Sequence, residues 1–196
     1  MADRVLHISD PQRIRALSHP LRLELIDVLD DGPATATQCA ALTGESVASC
    51  SFHLRMLAKY GYIEPAQRSG REKPWQLTSS SQEIRPNVND PDSLRAVEAM
   101  ASVYVDREVE HIHRWLAKAT TEQHDWIQAS TVSGSSIWAT VEEMEEVSQT
   151  VQALTNRFAG RASDPTARPA GARPVRVFTA VHLDVAKEER SARTRE

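Results

Sequence analysis

The sequence predicts an α+β protein that is mainly α, and three observations lead to this prediction. Two short stretches with helical spacing of apolar residues lie on either side of Gly44. After Gly61 the spacing changes to near alternation over residues 62–68 and 73–78, which flank a glycine-containing turn. A long amphipathic stretch begins near Ser93. This order predicts a winged helix-turn-helix, then a long helix, then a small helical C-terminal domain with two short strands.

The first three helices are predicted from the residues at their ends. Asp10 can accept backbone amide hydrogen bonds and proline is favoured at the first helical position, so a helix is expected from Pro11 to Leu17. Pro20 opens a second helix, which residues 30–33 terminate. A short third helix from about Thr37 to Leu42 is expected to position the next one.

The fourth helix, from Ser46 to about Tyr60, is expected to have a core face and a DNA face. Cys50, Leu54 and Leu57 lie at i, i+4 and i+7, so they face the core. A winged helix-turn-helix places such a helix in the major groove, where hydroxyls and small apolar groups can contact base edges and thymine methyls. The residues predicted to lie in the groove are Ser46, Val47, Ala48, Ser49, Ser51, Phe52 and Arg55.

The charges are placed locally rather than spread over the chain. Residues 1–80 hold nine Lys/Arg and nine Asp/Glu, and the remainder holds fourteen against eighteen, which accounts for the net charge of −4. Arg68, Arg71 and Lys73 lie on the predicted wing and are expected to contact phosphates, which position a protein without reading sequence. A neutral domain with a basic edge is expected to bind DNA in register, with modest non-specific affinity.

The long helix, from about Ser93 to Ala119, is predicted to carry a stripe broad enough for a partner helix. Packing of the same stripe within one chain is the alternative. The stripe consists of Leu94, Val97, Met100, Ala101, Tyr104, Ile112 and Leu116.

The chain resembles the ArsR-like winged-helix regulators of bacteria, on residues spread over positions 10–80. Their recognition helix has a Ser-x-His-Leu-x-x-Leu core ending at Gly, which is here Ser51, His53, Leu54, Leu57 and Gly61. The entry SHPLR at 18–22 and the wing GREKPW at 70–75 look most like an actinobacterial-type branch with an extended C-terminal half. The resemblance implies a dimeric transcriptional regulator with its dimer interface on the long helix.

The C-terminal half is predicted to contain one well-marked helix. Thr140 and Glu143 form a capping box, and the helix that follows extends to Phe158. Short strands are expected at residues 135–139 and 175–183, with a mobile linker at 161–174 between the helix and the second strand. The predicted division is a DNA-binding domain at 1–82, a dimerisation and effector-binding domain at 83–185, and a disordered tail at 186–196.

Aromatic residues in the C-terminal half suggest a pocket for a small apolar effector, with ordinary core packing as the alternative. The side chains predicted to line this pocket are Trp115, Trp126, Trp138, Met144 and Phe178.

Other classes of site find little support in the sequence. Cys39 lacks the neighbouring thiolate that the ArsR-like thiolate site requires, and His111 and His113 point to different helix faces, so no metal or other cofactor is expected. No nucleophile with a base, Gly-rich phosphate loop or paired carboxylates indicates an enzyme. Two cysteines without a CxxC pair, no apolar run of membrane-spanning length and no secretory signal predict a cytoplasmic protein without a membrane partner.

These observations predict a homodimeric regulator that binds double-stranded DNA and represses by occluding a promoter. Two alternatives remain open: an architectural DNA-binding protein with little operator choice, and a winged helix used to dock another protein. Salt-dependent affinity for DNA would argue against the second, and competition between different duplexes would test the first.

Overall fold

The computed structural model describes residues 6–67, 73–79, 82–84, 86–161 and 164–193. The chain forms two compact units, residues 1–116 and 117–196. The sequence placed a domain boundary at residue 82, whereas the structure keeps most of the long helix with the first unit. The reason is that Ala96, Val97, Met100 and Val103 of that helix pack against the core of the first unit.

The first unit contains four short helices, whose first turns are capped by side chains. Asp10 accepts a hydrogen bond from the amide of Gln12 at 2.8 Å and so caps the first helix. Thr35 and Gln38 form a reciprocal capping box at the start of the third. The helices are α1 (Pro11–Arg15), α2 (Pro20–Asp30), α3 (Ala36–Thr43) and α4 (Val47–Lys59).

Two small sheets complete the winged helix. Strands β2 (Ile63–Pro65) and β3 (Trp75–Leu77) pair antiparallel, as the sequence predicted for the wing. The sequence did not predict the second sheet, in which β1 (Leu6–Ile8) pairs in parallel with β4 (Gln82–Ile84). Short parallel strands that are far apart in sequence leave no turn signal between them, so periodicity cannot identify their pairing.

One core holds the first unit together. Ile14, Leu25, Leu54, Leu57 and Tyr62 are completely buried, and they come from α1, α2, α4 and the segment before β2. The Tyr62 hydroxyl donates a hydrogen bond to the Arg13 carbonyl at 2.8 Å, so this phenol is satisfied despite its burial. Burial raises the pKa of Tyr62 to about 12. The recognition helix and the wing therefore share one rigid base.

The long helix α5 (Pro91–Ala119) is attached to the first unit by polar contacts as well as apolar ones. The buried Ser93 hydroxyl donates to the Ser9 carbonyl at 3.2 Å and accepts from the Asn87 amide at 3.0 Å. Arg107, which is 12% exposed, forms an ion pair with Asp27 of α2. No helix among the described residues is long and apolar enough to cross a bilayer.

The second unit has helical elements but little interior. Its helices are α6 (His124–Gln128), α7 (Val141–Ala153) and α8 (Val185–Arg193), with 3-10 turns at Asn156–Phe158 and Pro165–Ala167. The predicted capping box is present, since the Thr140 hydroxyl accepts from the Glu143 amide and the Glu143 carboxylate accepts from the Thr140 amide. None of the described residues from 117 onward is buried. Packing therefore contributes less to this unit than to the first.

Three predictions for the C-terminal half are corrected by the structure. The segments 135–139 and 175–183 are not strands, and residues 117–161 and 164–193 contain no strand at all. Side chains link these segments, because the Ser136 hydroxyl donates to the Asp184 carboxylate at 2.9 Å. Alternation of apolar residues marks a face, but a strand also needs a backbone partner, and neither segment has one.

The helix that starts at Thr140 ends at Ala153 rather than at Phe158, and a 3-10 turn follows it. The predicted disordered tail contains α8 over its described residues. Asp184 starts this helix by accepting from the Lys187 amide at 3.0 Å, and Arg193 pairs with Glu189 one turn earlier at 3.8 Å. These local charge contacts stabilise a helix that lacks a buried face.

Candidate nucleic-acid interface

The helices α3 and α4 meet at a turn whose conformation depends on glycine. Gly44 ends α3 with φ +77° and donates its amide to the Ala40 carbonyl at 3.0 Å, in the left-handed conformation that glycine adopts without strain. Ser46 then caps α4 by accepting from the Ser49 amide at 3.1 Å. The Thr43 hydroxyl donates to the Cys39 carbonyl at 2.9 Å and lies 3.7 Å from the Cys50 sulfur. This turn holds the two helices at one relative orientation.

The inner face of α4 is the one that its spacing predicted. Cys50, Leu54 and Leu57 are each 0% exposed and lie in the core. On the outer face, Val47 is 48% exposed and Phe52 is 51% exposed, although both are apolar. Apolar side chains that remain in solvent beside a buried face are available for contact with another molecule.

The structure places all seven predicted groove residues on or next to the exposed part of α4. Those exposed are Ser46, Val47, Ala48, Phe52 and Arg55, and those half-buried are Ser49 and Ser51. Ser46 has an additional role that the groove prediction overlooked, because its side chain caps the helix. Its position directly before the helical run was the signal that could have identified the cap.

The wing is fixed to the helices by backbone hydrogen bonds. Ala34, in the loop between α2 and α3, exchanges backbone hydrogen bonds with Trp75 of β3 at 2.8 and 3.0 Å. Lys73 lies just before β3 and is exposed. Arg68 and Arg71 lie outside the described residues. The described part of the wing therefore has an exposed cation next to a strand that is held in register with the helix-turn-helix.

A histidine pair connects the recognition helix to the start of α2. The Nδ1 atom of His19 accepts from the Leu21 amide at 3.2 Å and so caps α2. Its ring centroid lies 4.3 Å from that of His53, and the His53 and Phe52 rings are nearly perpendicular, with 5.1 Å between their centroids. The structure buries the His53 side chain at 9% exposure. Among the described residues, the buried Nδ1 atom of His53 has no hydrogen-bond partner.

Both histidines have pKa values below the ordinary value of 6.5. For His53 the main cause is burial, followed by the charges of His19 and Arg22, while Glu45 acts in the opposite direction. For His19 the causes are burial and then Arg22, again opposed by Glu45. Burial disfavours the charged imidazolium, so folding favours the neutral form of both rings.

Acidification is therefore expected to destabilise the winged helix. Below about pH 6.5 the two imidazoles bind protons more readily in the unfolded chain than in the folded one. The stability that the two neutral histidines contribute is therefore present above that pH and is lost as the pH falls. Urea unfolding at about pH 7.5 and about pH 5.5 would measure the loss. His19→Asn, which keeps a capping side chain, and His53→Gln should each reduce the pH dependence, whereas His113→Asn at an exposed position should not. An unchanged pH dependence in the double variant H19N/H53Q would contradict this assignment.

The exposed apolar face of α5 differs from the apolar stripe that was predicted from the sequence. Val97 and Met100 pack partly against the core of their own unit, so they are less available to a partner. Val105 and Val109, which the prediction omitted, are each 42% exposed. We define the α5 seam as the outward residues at intervals of three, four or seven, namely Leu94, Ala101, Val105, Val109, Ile112 and Leu116.

The α5 seam is identified by how α5 packs in the structure, and the spacing of apolar residues alone does not show it. Tyr104 lies to one side of it and is 37% exposed, while Ala101 and Ile112 are half-buried. A broad apolar stripe can pack on either flank, and only the position of the winged-helix core determines which flank remains outside.

The residues of the predicted effector pocket are divided between the two units. Trp115 belongs to the first, while Trp126, Trp138, Met144 and Phe178 belong to the second. Trp138 is 74% exposed and the Lys187 ammonium lies 5.2 Å from its ring. The Arg173 guanidinium lies 4.8 Å from the Trp126 ring and forms two hydrogen bonds with Glu122.

Two clefts in the first unit have volumes of about 530 and 420 Å³, and none of the five predicted pocket residues lines either of them. The larger cleft lies between α2 and α5, with many charged side chains around it. The smaller one lies between α2, the wing and α5.

The cysteines have the character of core residues. Cys39 and Cys50 are both completely buried and reduced. Burial raises the pKa of the Cys39 thiol to about 11, with a smaller contribution from Cys50, so the thiolate that a metal would require is disfavoured. Within the described part of the chain, no three His, Cys, Asp or Glu side chains are grouped to hold a metal ion.

The fold and the exposed face of α4 define the class: a winged helix-turn-helix protein. Residues 17–65 match the family described as "Helix-turn-helix domain", which covers α2, α3, α4 and β2. This match confirms the helix-turn-helix that the sequence predicted. No curated protein matches the chain significantly.

Several solved structures are similar to parts of the chain. The homodimeric winged helix-turn-helix DNA-binding domain of Mb0332 from Mycobacterium bovis, a possible ArsR-family regulator, is 25% identical and covers 50% of this chain and 81% of its own, with a TM-score of 0.33. A possible transcriptional regulator for arsenical resistance is also 25% identical, covers 51% and 95%, and has a TM-score of 0.32. A variant of ZitR from Lactococcus lactis is 15% identical, covers 71% and 75%, and has a TM-score of 0.32.

Proposed function

We propose that this chain is a homodimeric, sequence-specific DNA-binding repressor that acts in the cytoplasm by occluding a promoter. The observation that supports this most is the contrast between the two faces of α4. Its inner side chains are completely buried, while Val47, Phe52 and Arg55 remain in solvent on the outer face. A helix fixed on one side and open on the other is suited to enter a major groove.

The chemistry of the outer face favours partial sequence selectivity. Val47, Ala48 and Phe52 can contact thymine methyls, and the half-buried Ser51 can donate or accept at a base edge. Arg55 can form two hydrogen bonds with guanine. The exposed Lys73, together with the predicted Arg68 and Arg71, supplies phosphate contacts. An architectural DNA-binding protein would need mainly the phosphate contacts, so the residues suited to base contacts favour operator choice.

Dimerisation through α5 is the second part of the proposal. The α5 seam combines exposed Leu94, Val105, Val109 and Leu116 with half-buried residues at coiled-coil intervals. Two recognition helices spaced by such an interface would read half-sites about one helical turn apart. Occlusion of a promoter needs no further activity from the protein.

Release by a small apolar effector is the third part. It is supported by aromatic side chains of the second unit that no core encloses, such as half-buried Trp126 and exposed Trp138. A ligand would release DNA only if it bound the DNA-competent and incompetent dimers with different affinity. Tryptophan fluorescence during titration with apolar compounds, compared between Trp138→Phe and the unaltered chain, would test it.

Replacing one residue proposed to contact bases and one proposed to contact phosphate tests the DNA part of the proposal. An operator would first be obtained by sequencing duplexes that the purified chain selects from a random pool. Phe52→Ala is expected to weaken operator binding by about 1 to 3 kcal/mol and to spare random DNA. Lys73→Ala is expected to weaken both duplexes and to reduce the salt slope by about one unit.

The matched control is Val88→Ala, which removes an exposed apolar side chain outside the helix-turn-helix. Fluorescence anisotropy at several salt concentrations would give all the affinities. Equal losses on operator and random DNA for Phe52→Ala would support the architectural alternative. No salt-dependent affinity for any duplex would instead point to protein docking.

A further inference from the structure

The short helix α1 is attached to the start of the long helix α5. The Ser93 hydroxyl of α5, which is completely buried, donates to the Ser9 carbonyl just before α1 at 3.2 Å. Arg15 of α1 forms an ion pair with Asp92 in the first turn of α5. The two contacts lie near opposite ends of α1, so α5 holds this helix in both position and direction.

The same short helix also holds the end of the recognition helix α4. The Arg13 Nε atom donates to the carbonyl of Tyr60, the residue that ends α4, at 3.0 Å. In return, the Tyr62 hydroxyl donates to the Arg13 carbonyl at 2.8 Å. A Cβ atom at Gly61 would lie 3.7 Å from an Arg13 guanidinium nitrogen, so the Arg13 side chain covers the turn after α4. The partial negative charge of the last carbonyls of a helix also favours a cation at this end.

We propose that Arg13 is a positioning residue that sets, through α1, the angle between the recognition helix α4 and the long helix α5. Leu54 and Leu57 bury α4 in the core. Apolar contacts are non-directional, whereas hydrogen bonds weaken steeply when donor and acceptor are misaligned. The hydrogen bonds on the two sides of α1 therefore restrict an angle that the apolar core defines less sharply.

The consequence for DNA rests on the proposed function. In a dimer paired through α5, the angle between α4 and α5 in each copy sets the distance between the two recognition helices. That distance decides which half-site spacing the dimer accepts. Arg13 affects this choice without touching DNA, so its role differs from that of the residues proposed to contact bases or phosphate.

Spin labels in the full chain measure the restriction of this angle without DNA. Ala48→Cys on α4 and Glu98→Cys on α5 place both labels at exposed positions. Dilution with an excess of unlabelled chain restricts the signal to label pairs within one protomer. Cys39 and Cys50 are completely buried, and the chain without added cysteines measures any labelling at them. Pulsed electron spin resonance is expected to give one narrow distance distribution.

Arg13→Met in this labelled chain keeps an apolar stem beside Tyr62, removes the donor and is expected to broaden the distance distribution. Arg13→Lys, which retains a donor, is expected to narrow it again. Ser93→Ala removes the hydrogen bond on the other side of α1 and should broaden the distribution independently of Arg13. The matched control is Arg95→Met, which removes the same charge from a side chain of α5 that is 68% exposed and should leave the distribution unchanged. An unchanged distribution in Arg13→Met would overturn the positioning role.

Binding to full and half operators tests the consequence for DNA. Arg13→Met, without labels, is expected to weaken binding to the full operator about tenfold more than binding to the half operator, because recognition helices that are not held at one spacing engage both half-sites less readily. A role in stability alone would lower the folded fraction, which urea unfolding measures, and would weaken binding to both duplexes by the same factor. Equal losses would overturn the link to half-site spacing. A broadened distribution in a chain that binds no duplex would support the positioning role of Arg13 and overturn the proposed DNA binding.

Discussion

A chain carrying Val105→Glu and Val109→Glu is expected to lose the proposed α5 dimer and, with it, most of its operator affinity. Both valines lie in the middle of the α5 seam and are 42% exposed, so glutamate can be accommodated in the isolated protomer. In a dimer the same positions would bury two carboxylates from each copy without a partner. Losing the second half-site contact is expected to weaken operator binding by about 10²- to 10⁴-fold, the usual range for linked sites.

Analytical ultracentrifugation would measure the mass, and anisotropy would measure binding to full and half operators. The control is Ala99→Glu with His113→Glu, which places the same charges on an exposed part of α5 away from the seam. This control should remain dimeric. The expected monomer binds full and half operators with equal affinity. A V105E/V109E chain that still sediments as a dimer would show that the dimer interface does not lie on the α5 seam.

The second large effect is expected at the base of the recognition helix. Leu54→Ala removes a completely buried side chain from the core that joins α4 to α2 and the wing. Large-to-small changes at such sites cost about 2 to 5 kcal/mol, because they lose both transfer free energy and packing around the cavity. A domain of ordinary stability would lose a large part of its free energy of unfolding.

Urea unfolding followed by circular dichroism would give the free energy of unfolding. Arg55→Ala, at the next position but exposed, should change that free energy by less than about 0.5 kcal/mol. The same Arg55→Ala chain is expected to lose DNA affinity while remaining folded. A Leu54→Ala cost below about 1 kcal/mol would show that the core tolerates the cavity, contrary to the packing described here.

Local chemistry made most of the first unit predictable from sequence. Asp10 and Gly44 set helix ends through contacts with backbone groups only a few residues away. The inner face of α4 followed from the i, i+4, i+7 spacing of its buried residues. Such signals are contained within one turn of helix, so they remain readable without knowledge of the rest of the molecule.

Long-range contacts could not be read in the same way. The parallel pairing of Leu6–Ile8 with Gln82–Ile84 joins segments far apart in sequence. The expected strands at 135–139 and 175–183 have suitable alternation but no backbone partner. Conversely, Val185–Arg193 is helical despite a composition that suggested disorder, because Asp184 caps it and Glu189 pairs with Arg193.

The sequence by itself determined the helix-turn-helix, its wing and the inward face of α4, because caps, turns and helical spacing act over a few residues. Only the tertiary structure decided which flank of α5 remains outside, by packing Val97 and Met100 against the core and leaving Val105 and Val109 exposed. It also decided that the His53 ring lies next to the ring of His19, which is many residues earlier in the chain. Burial is a property of the whole packed unit, so a stripe of apolar residues cannot specify its own partner.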